Sequence, residues 1–350
     1  MAIMNAQVPN LKKTQAEAQN PLKKGFWQDA IREFQGSDIK RSLFQLTNTF
    51  IPYVLLWALM VQTLKISYVL TLLIALPTAG LLIRLFIIFH DCGHGAFFKS
   101  PKVSDYLGSF LGTLLMTPYL QWRHEHAVHH ACAGNLEKRG IGDIWTMTVR
   151  EYNEASRWMR FKYRVYRNPL MLFLILPLVL ALVIHRVPVK EFNRRIRLNV
   201  HATNLGILAV IGLLTWLVGL KAFIMIQLPI LIVYSTCGVW LFYIQHQFED
   251  VYWENSKNWD YATVAFEGSS FYRLPKILHW FTGNIGFHHV HHLSPKIPNY
   301  LLNKCHKSLS KFHTVRTIGI RESLKSLRWR LWDESQRKMV SFRFLKKVPA

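Results

Sequence analysis

The sequence predicts an all-α integral membrane protein with four transmembrane helices arranged as two hairpins. Hydrophobic residues make up 51% of its 350 residues and gather in long runs, while the formal net charge is +23. A soluble nucleic-acid-binding protein can be equally basic, but its lysines and arginines would cover one face of a globular domain. Here they flank the apolar runs, as in membrane proteins whose basic loops stay in the cytoplasm. We therefore expect no nucleic-acid partner.

The first hairpin is predicted from two apolar runs near the N-terminus, residues 43–63 and 66–90. Each run has close to the ~20 residues that cross a hydrocarbon core of ~30 Å. Only Leu64 and Lys65 separate the runs, so both outer ends lie on the side that holds the basic N-terminal residues. The positive-inside rule makes that side cytoplasmic.

The second hairpin is predicted over residues 203–244, with its break near Gly219. Two shorter apolar stretches are expected to be embedded in the membrane or to lie along its surface. Residues 105–120 are short and contain glycine, and residues 169–184 carry Pro177 in their middle. An even number of crossings then places every histidine-rich stretch on one side, in a cytoplasmic helical cap.

The chain is expected to form one membrane domain with a basic segment at each end. The expected bounds are residues 1–40 for the basic cytoplasmic N-terminal segment, 41–315 for the membrane domain and 316–350 for the basic C-terminal tail. The four cysteines have no paired spacing, so no disulfide framework is predicted. The N-terminal residues lack the apolar core of a cleavable signal peptide.

Three clusters of histidine follow the predicted spans. "HDCGH" places His90 and His94 four residues apart, and "WRHEHAVHH" and "GFHHVHH" each contain histidines at i, i+3 and i+4. Residues three or four apart share a helical face, whereas adjacent residues diverge by about 100°. Neighbours such as His129 and His130 can therefore point at two different metal ions.

The number of histidines indicates two metal ions, because eight imidazoles exceed what one ion can bind. A structural zinc site needs only four ligands. Redox metals that bind O₂ need ligands and open positions as well, which favours two irons. The Glu and Glu-x-x-His ligands of soluble di-iron bundles are not the pattern seen here.

In this order and spacing, the clusters resemble those of the membrane fatty acid desaturase family. The likeness extends to "HDCGHGAFF", "WRHEHAVHHACAGNLEKRGIGDIWTMTVREY", "RNPL", "FYIQHQFEDVYWE" and "HWFTGNIGFHHVHHLSPKIPNYLL". These stretches resemble bacterial and cyanobacterial acyl-lipid desaturases of the omega-6 (delta-12) type, and the resemblance covers residues 40–315.

The resemblance implies a metal-ligand set of nine histidines: His90, His94, His126, His129, His130, His246, His288, His291 and His292. Among these, His246 matches an extra histidine that the family places after the last span. Glu249 and Asp250 are expected to accept a hydrogen bond from a ligand imidazole, and Asn284 to reach a metal through water. The other histidines are expected to be structural or exposed: His124, His185, His201, His279, His289, His306 and His313.

Two sets of residues keep two interpretations each. Arg84, inside the second span, either extends toward lipid headgroups or anchors the site. The aromatic residues near the histidines, Trp122, Trp240, Tyr243 and Phe287, either line an acyl channel or serve only in packing.

The resemblance implies an oxidoreductase that uses O₂ and two electrons at two irons (Fe²⁺/Fe³⁺) to insert a cis double bond into an acyl chain of a membrane lipid. It implies no catalytic side chain beyond the metal centre. The sequence contains no haem, dinucleotide or iron–sulfur motif, so the electrons must come from an external donor. An acidic ferredoxin-like protein suits the basic cytoplasmic face. The expected location is a bacterial inner (plasma) membrane, with the active site facing the cytoplasm.

Two alternatives remain at this stage. The same irons would hydroxylate the chain if oxygen returned to the substrate radical before the second hydrogen was lost. A histidine-rich membrane metal transporter would need a polar path through the bilayer, whereas the predicted spans hold few polar groups and the histidines gather at one face.

Overall fold

The computed structural model describes residues 26–346 and is built mainly of helices. The α-helices are α1 (Phe26–Arg32), α2 (Ile39–Thr63), α3 (Tyr68–Gly93), α4 (Pro101–Leu114), α5 (Tyr119–Cys132), α6 (Val149–Glu154), α7 (Arg157–Tyr166), α8 (Leu176–Leu182), α9 (Arg194–Val218), α10 (Leu220–His246), α11 (Tyr261–Glu267), α12 (Lys276–Phe281), α13 (His288–Leu293), α14 (Asn299–Ser308) and α15 (Ile320–Ser323). The strands are β1 (Met147–Thr148), β2 (Phe271–Arg273), β3 (Thr317–Gly319), β4 (Leu331–Asp333) and β5 (Lys338–Val340). The first 25 residues of the predicted N-terminal segment lie outside the described part.

Four of the described helices, α2, α3, α9 and α10, are long and apolar enough to cross a membrane. The predicted fold class is thereby confirmed. The boundaries lie within a few residues of those expected except at the start of α9, which begins nine residues earlier than predicted, at Arg194. The second hairpin turns at Gly219, whose φ of 84° lies in the left-handed region that favours glycine. Its connection is so short that α9 and α10 must run antiparallel.

Hydrogen bonds fix the relative direction of the long helices. Tyr68 at the start of α3 donates to the carbonyl of Met225, which lies near the start of α10, at 3.3 Å. The two helices therefore start on the same side of the membrane and run parallel to each other. At the opposite end, Arg195 in the first turn of α9 contacts Asp105 of α4 at 2.9 Å. Helix α9 thus starts on the side where α3 ends.

The segment between α6 and α9 is a bent pair of helices that does not cross the membrane. Residues Arg157–Tyr166 and Met171–Arg186 meet at 62°, and together they would be long enough for a fifth span. Because α3 ends and α9 begins on the same side, the chain between them makes an even number of crossings. The bend lies at residues 167–170, directly before a π-helical turn at Met171–Ile175.

Helix α3 is the central element of the membrane part, and its side chains are mostly buried between α2, α4 and α10. Arg84 in this helix anchors neighbouring elements. Its Nε donates to Thr49 of α2 at 3.1 Å, a second nitrogen donates to the carbonyl of Trp280, and the guanidinium lies 4.2 Å from the Trp280 ring. The alternative in which Arg84 reaches for headgroups is thereby excluded, since only 8% of the residue is exposed.

The polar residues outside the spans form a cap on the side where α3 and α10 end. We use "cap" for residues 133–166 and 247–346. Two small sheets order it: β4 pairs in parallel with β1 and antiparallel with β5, while β2 pairs in parallel with β3. The segment predicted as a basic C-terminal tail therefore packs on the cap through residue 346. These strands of two or three residues were not predicted.

The buried Arg167 joins several chain segments at the root of the cap. Arg167 is 1% exposed and donates to the carbonyl of Trp329 at 2.7 Å and to Gln247 at 2.9 Å. It also donates to the carbonyl of Trp145 at 3.2 Å. The chain segments before α7, after α10 and before β4 are thus held together at the root of the cap.

The sidedness of the bent segment can be measured by cysteine labelling in sealed vesicles. Lys65→Cys and Lys221→Cys, in the two hairpin connections, should react with an impermeant maleimide from one side. Lys138→Cys and Lys190→Cys, before and after the bent pair, should react only from the other. Labelling of Lys190→Cys together with Lys65→Cys would show that the bent pair crosses the membrane. The unsubstituted protein measures the background from its own cysteines.

Candidate metal centre

The nine histidines predicted as ligands converge into two neighbouring groups on the cap side of the spanning helices. One ring nitrogen from each member lies within 4.8 Å of those of the other members of its group. The five-histidine group consists of His90, His94, His126, His130 and His291, and the four-histidine group consists of His129, His246, His288 and His292. Neither group contains a carboxylate or a cysteine.

Helical geometry assigns neighbouring histidines to different groups. His129 and His130 are adjacent in α5 and belong to different groups, as do His291 and His292 in α13. This is the divergence expected from about 100° per residue. The end of α3 supplies two histidines to the five-histidine group, and the last residue of α10, His246, belongs to the four-histidine group. Four separate elements are therefore needed to build the site.

Short contacts between ring nitrogens run through the five-histidine group. Nε2 of His291 lies 3.0 Å from Nε2 of His90 and 3.0 Å from Nε2 of His130, which lies 3.1 Å from Nε2 of His126. In the other group, Nε2 of His246 and of His288 are 2.9 Å apart. Two ligands at right angles around an ion, each bound at about 2.1 Å, would be about 3.0 Å apart.

Hydrogen bonding alone cannot satisfy these nitrogens. A ring nitrogen carries at most one proton, and a neutral imidazole carries one in all. Nδ1 of His90 faces a carboxylate oxygen of Asp91 at 3.1 Å, which places its proton there and leaves Nε2 as a lone pair. Nε2 of His291 and Nε2 of His130 each face two other ring nitrogens but carry at most one proton, which points in one direction. Well-directed hydrogen bonds therefore cannot account for all three contacts from His90 to His126. A cation between the nitrogens satisfies every lone pair.

Three histidines are held from outside their group by oxygen atoms. Asp91 accepts from His90, Asp143 accepts from Nδ1 of His129 at 2.6 Å, and the carbonyl of Gly268 accepts from Nδ1 of His246 at 2.9 Å. Such acceptors fix the ring orientation and the tautomer of a metal ligand and raise its basicity. Sequence reasoning missed all three. Asp91 stands beside His90 in "HDCGH", the one signal available in the sequence.

A tight loop brings Asp143 onto His129. Gly142 has a φ of 69°, and a Cβ atom there would lie 3.1 Å from both the Glu125 carbonyl oxygen and the His129 Cβ. The loop can approach the backbone of α5 this closely only without a side chain at residue 142. Any larger residue would push Asp143 away from the imidazole that it orients.

Burial keeps six of the imidazoles outside the spans neutral. Desolvation, followed by the charges of neighbouring histidines, lowers the pKa of six of them well below the ordinary value: His94, His126, His130, His288, His291 and His292. A neutral imidazole has a lone pair to give to a metal. Among the described residues, Nε2 of His94, His129 and His292 is buried and has no hydrogen-bond partner. Unpaired buried nitrogens that face one another fit two metal ions.

The side chains that were predicted to support the metal ligands make other contacts in the described structure. Glu249 is half-buried and Asp250 is exposed, and neither side chain bonds a histidine in the part that the structure describes. The Nδ1 atom of His246, which they would have held, is already bonded to Gly268. The amide of Asn284 donates to the carbonyl of Asn299 at 3.2 Å, so it helps to fix the start of α14. Its contact with a metal through water stays a prediction.

Aromatic rings close the site toward the membrane and the cap. Trp122 stacks on His126, with 4.5 Å between the ring centroids. Phe287 instead stacks on Phe271, and Trp240 and Tyr243 both pack against Phe173, so packing is the observed role of these three. Of the seven histidines expected outside the site, His289 is buried and contacts His306 at 2.9 Å, remote from both groups.

The fold and the site together define a membrane protein with two buried histidine groups that can hold metal ions. The fatty acid desaturase family model matches residues 64–316. A fatty acid desaturase from Bacillus subtilis is 48% identical over 319 residues, which cover 91% of each chain. The chain therefore belongs to the fatty acid desaturase family, a family of oxidoreductases, and the resemblance seen in the sequence is confirmed.

More distant relatives differ in their named reactions. The sn-1 acyl-lipid omega-3 desaturase (ferredoxin) of Synechocystis is 26% identical over 236 residues, 64% of this chain and 63% of that one. The oleoyl-12-hydroxylase of Ricinus communis is 27% identical over 279 residues, 73% of this chain and 67% of that one. The metal-transporter alternative has no support among these relatives.

The side chain of Asp91 should contribute more to the free energy of unfolding than a surface carboxylate does. It is 2% exposed and accepts from the backbone N–H and the side-chain amide of Asn299, at 2.7 and 2.8 Å. Asp91→Ala leaves these donors and His90 unpaired, so we expect a loss of about 3 kcal/mol in the free energy of unfolding. Urea unfolding of the detergent-solubilised protein, followed by tryptophan fluorescence, measures it.

The matched control is Asp105→Ala, which removes partly exposed ion pairs with Arg123 and Arg195. Surface pairs of this kind contribute less than about 1 kcal/mol. Equal losses in the two variants would contradict the role assigned to Asp91.

Proposed function

We propose that this protein is an O₂-dependent fatty acyl desaturase that inserts a cis double bond into an acyl chain of a membrane lipid, through two irons held by nine histidines. The observation that carries the proposal is the chain of ring-nitrogen contacts near 3.0 Å in the five-histidine group, beside a separate four-histidine group. Family membership supplies the reaction class.

The donor set supports iron over zinc. All nine donors are imidazoles, which suit Zn, Cu, Fe and Ni. A structural zinc ion would be satisfied by four ligands and would have no use for the other five. An oxidation that consumes O₂ needs a redox metal, and zinc does not change its oxidation state. The proposed assignment is one iron in each group.

The balanced reaction consumes O₂, two electrons and two protons, removes two hydrogens from neighbouring methylenes, and releases two waters. When bound, the irons supply the oxidising power for this removal of hydrogen. The residues of this chain hold the ligand rings in place, through Asp91, Asp143 and Gly268. Burial of the groups beneath Trp122 limits access of water to the reacting carbons.

An external protein is proposed to supply the electrons. The Synechocystis relative is named for ferredoxin, and the net charge of +23 on this chain would attract an acidic carrier of that type. The proposed location is a bacterial inner membrane with the histidine side in the cytoplasm. The basic residues around α7 and at the start of α9 lie on that side, as the positive-inside rule requires.

For the position of the double bond we propose the omega-6 (delta-12) carbon, on the resemblance alone. Relatives named for omega-6 or delta-12 positions match at 26–28% identity, and omega-3 enzymes match at 26–27%. The castor-bean hydroxylase at 27% makes hydroxylation the second candidate. Both reactions begin with removal of the same hydrogen, so the products distinguish them.

The reaction is tested by gas chromatography and mass spectrometry of acyl chains from a host that lacks polyunsaturated lipids. Expression of the protein should yield a chain lighter by two hydrogens, and derivatisation should locate the bond. His129→Ala with His130→Ala removes one ligand from each group, so the product should fall by about 100-fold or more. A product heavier by one oxygen would establish hydroxylation. No new product from an iron-loaded enzyme with a working donor would overturn the proposal.

Metal content provides a second test. The purified protein should contain two irons per chain by elemental mass spectrometry. His288→Ala with His292→Ala should lose the iron of the four-histidine group and retain the other, because both residues belong to that group alone. His289→Ala is the matched control: it is an equally buried histidine in the same short helix but belongs to neither group. Loss of iron from the control, or bound zinc in place of iron, would count against the assignment.

A further inference from the structure

A cavity lies between α5 and residues 180–189, which form the end of α8 and part of its link to α9. Its volume is about 440 Å³. The outer wall is apolar and is formed by Leu180, Val183, Ile184, Val187, Pro188 and Val189. Several of these side chains are exposed in the described structure and belong to the bent segment that does not cross the membrane. The cavity is therefore placed where a lipid from the adjacent leaflet can reach it.

The inner wall of the cavity presents hydrogen-bond acceptors. It contains Gln121, Glu125 and His185. Nε2 of Gln121 donates to the Glu125 carboxylate at 3.1 Å, so the amide oxygen of Gln121 remains free. In the described structure this oxygen and Nδ1 of His185 are buried without a partner, in residues that are 3% and 8% exposed. Unpaired buried polar atoms are costly, at about 1–3 kcal/mol each.

These three residues can take a ligand group that donates several hydrogen bonds. An amide oxygen, a carboxylate and an imidazole nitrogen can each accept a hydrogen bond, and a primary ammonium offers three donors. The carboxylate also provides a charge opposite to that of the ammonium. An ester, a phosphate or a choline group has no N–H or O–H to give.

Positive charge lies at the rim of the cavity. Lys190 directly follows the apolar wall, and Arg197 in the first turn of α9 donates to the Lys190 carbonyl at 2.9 Å. Among the described residues, neither side chain has a carboxylate within ion-pair distance, whereas the nearby Arg195 is paired with Asp105. Unpaired arginine and lysine side chains suit a phosphate group.

The cavity is connected to the metal site through α5. Gln121, Glu125 and His129 follow one another at four-residue spacing, so they lie along one face of the helix. His129 belongs to the four-histidine group. A lipid headgroup held at Gln121 and Glu125 would therefore be about one to two helical turns from that group.

We propose that this cavity is the headgroup site for a phospholipid that ends in a primary ammonium, of the phosphatidylethanolamine class. The ammonium binds Gln121, Glu125 and His185, the phosphate lies against Lys190 and Arg197, and the glycerol and the start of the chains lie along the apolar wall. This assignment rests on the proposed function in one respect: the lipid held there is the substrate.

The test is photo-crosslinking in nanodiscs, with iron-loaded protein and no electron donor, so that binding is measured independently of desaturation. Phosphatidylethanolamine carrying a diazirine near the glycerol should label residues 121–125 and 180–189, as mapped by mass spectrometry. The matching phosphatidylcholine probe should label them at least about tenfold less, a difference of about 1.4 kcal/mol. Equal labelling by the two probes would overturn the headgroup assignment.

Two pairs of variants separate occupancy of the cavity from general contact with lipid. Val183→Trp fills the cavity and should abolish labelling of residues 121–125, whereas Leu182→Trp, at an exposed neighbour outside its lining, should not. Lys190→Gln with Arg197→Gln should weaken labelling by phosphatidylethanolamine, and the exposed Lys257→Gln should not. Unchanged labelling in Val183→Trp, in protein that elutes as a folded species, would show that the cavity is not the site. Because no electrons are supplied and no turnover is measured, that result would leave the desaturase proposal standing.

Discussion

The architecture depends on one constraint: nine imidazoles must meet away from water without remaining unpaired. Burial lowers the pKa of six of these histidines well below the ordinary value, and ring nitrogens in the five-histidine group face one another at about 3 Å. This arrangement of ring nitrogens is unfavourable unless a cation lies between them. The long helices, the cap and the oxygen acceptors behind the rings together hold the imidazoles close to one another. None of these elements would favour that geometry alone.

Eight of the nine histidines could be predicted from the sequence because their spacing follows the helical repeat, whereas His246 was predicted from its place after the last span and from the family resemblance. The oxygen atoms behind them could not. Asp143 reaches His129 through a loop that depends on the left-handed conformation of Gly142, and no periodic pattern marks such a loop. The carbonyl of Gly268 carries no sequence signal, since every residue has one. Glu249 and Asp250 were chosen by proximity in sequence to His246, and the turn after α10 directs the chain elsewhere.

The fold could be predicted in proportion to the length of its elements. Runs of about 20 apolar residues leave few alternatives to a spanning helix, and four such helices were found. Their ends lie within a few residues of those expected, except that α9 begins nine residues earlier. Strands of two or three residues carry no period, so the small sheets of the cap, and the docking of the C-terminal segment on them, were not foreseen. The length of the apolar run also could not show whether the bent segment crosses the membrane. Hydrogen bonds at Tyr68 and Arg195 decide it.

The order in which the site is completed follows from how the two groups are composed. Four members of the five-histidine group lie within the first 130 residues, and the fifth is His291. In the other group, His129 is synthesised long before its partners, which are His246, His288 and His292. During synthesis the first hairpin and α5 are made well before their partners, so an incomplete chain presents four of the five histidines of one group and one of the four of the other. The two groups are complete only when His291 and His292 have left the ribosome, so the full set of nine nitrogens forms late in synthesis.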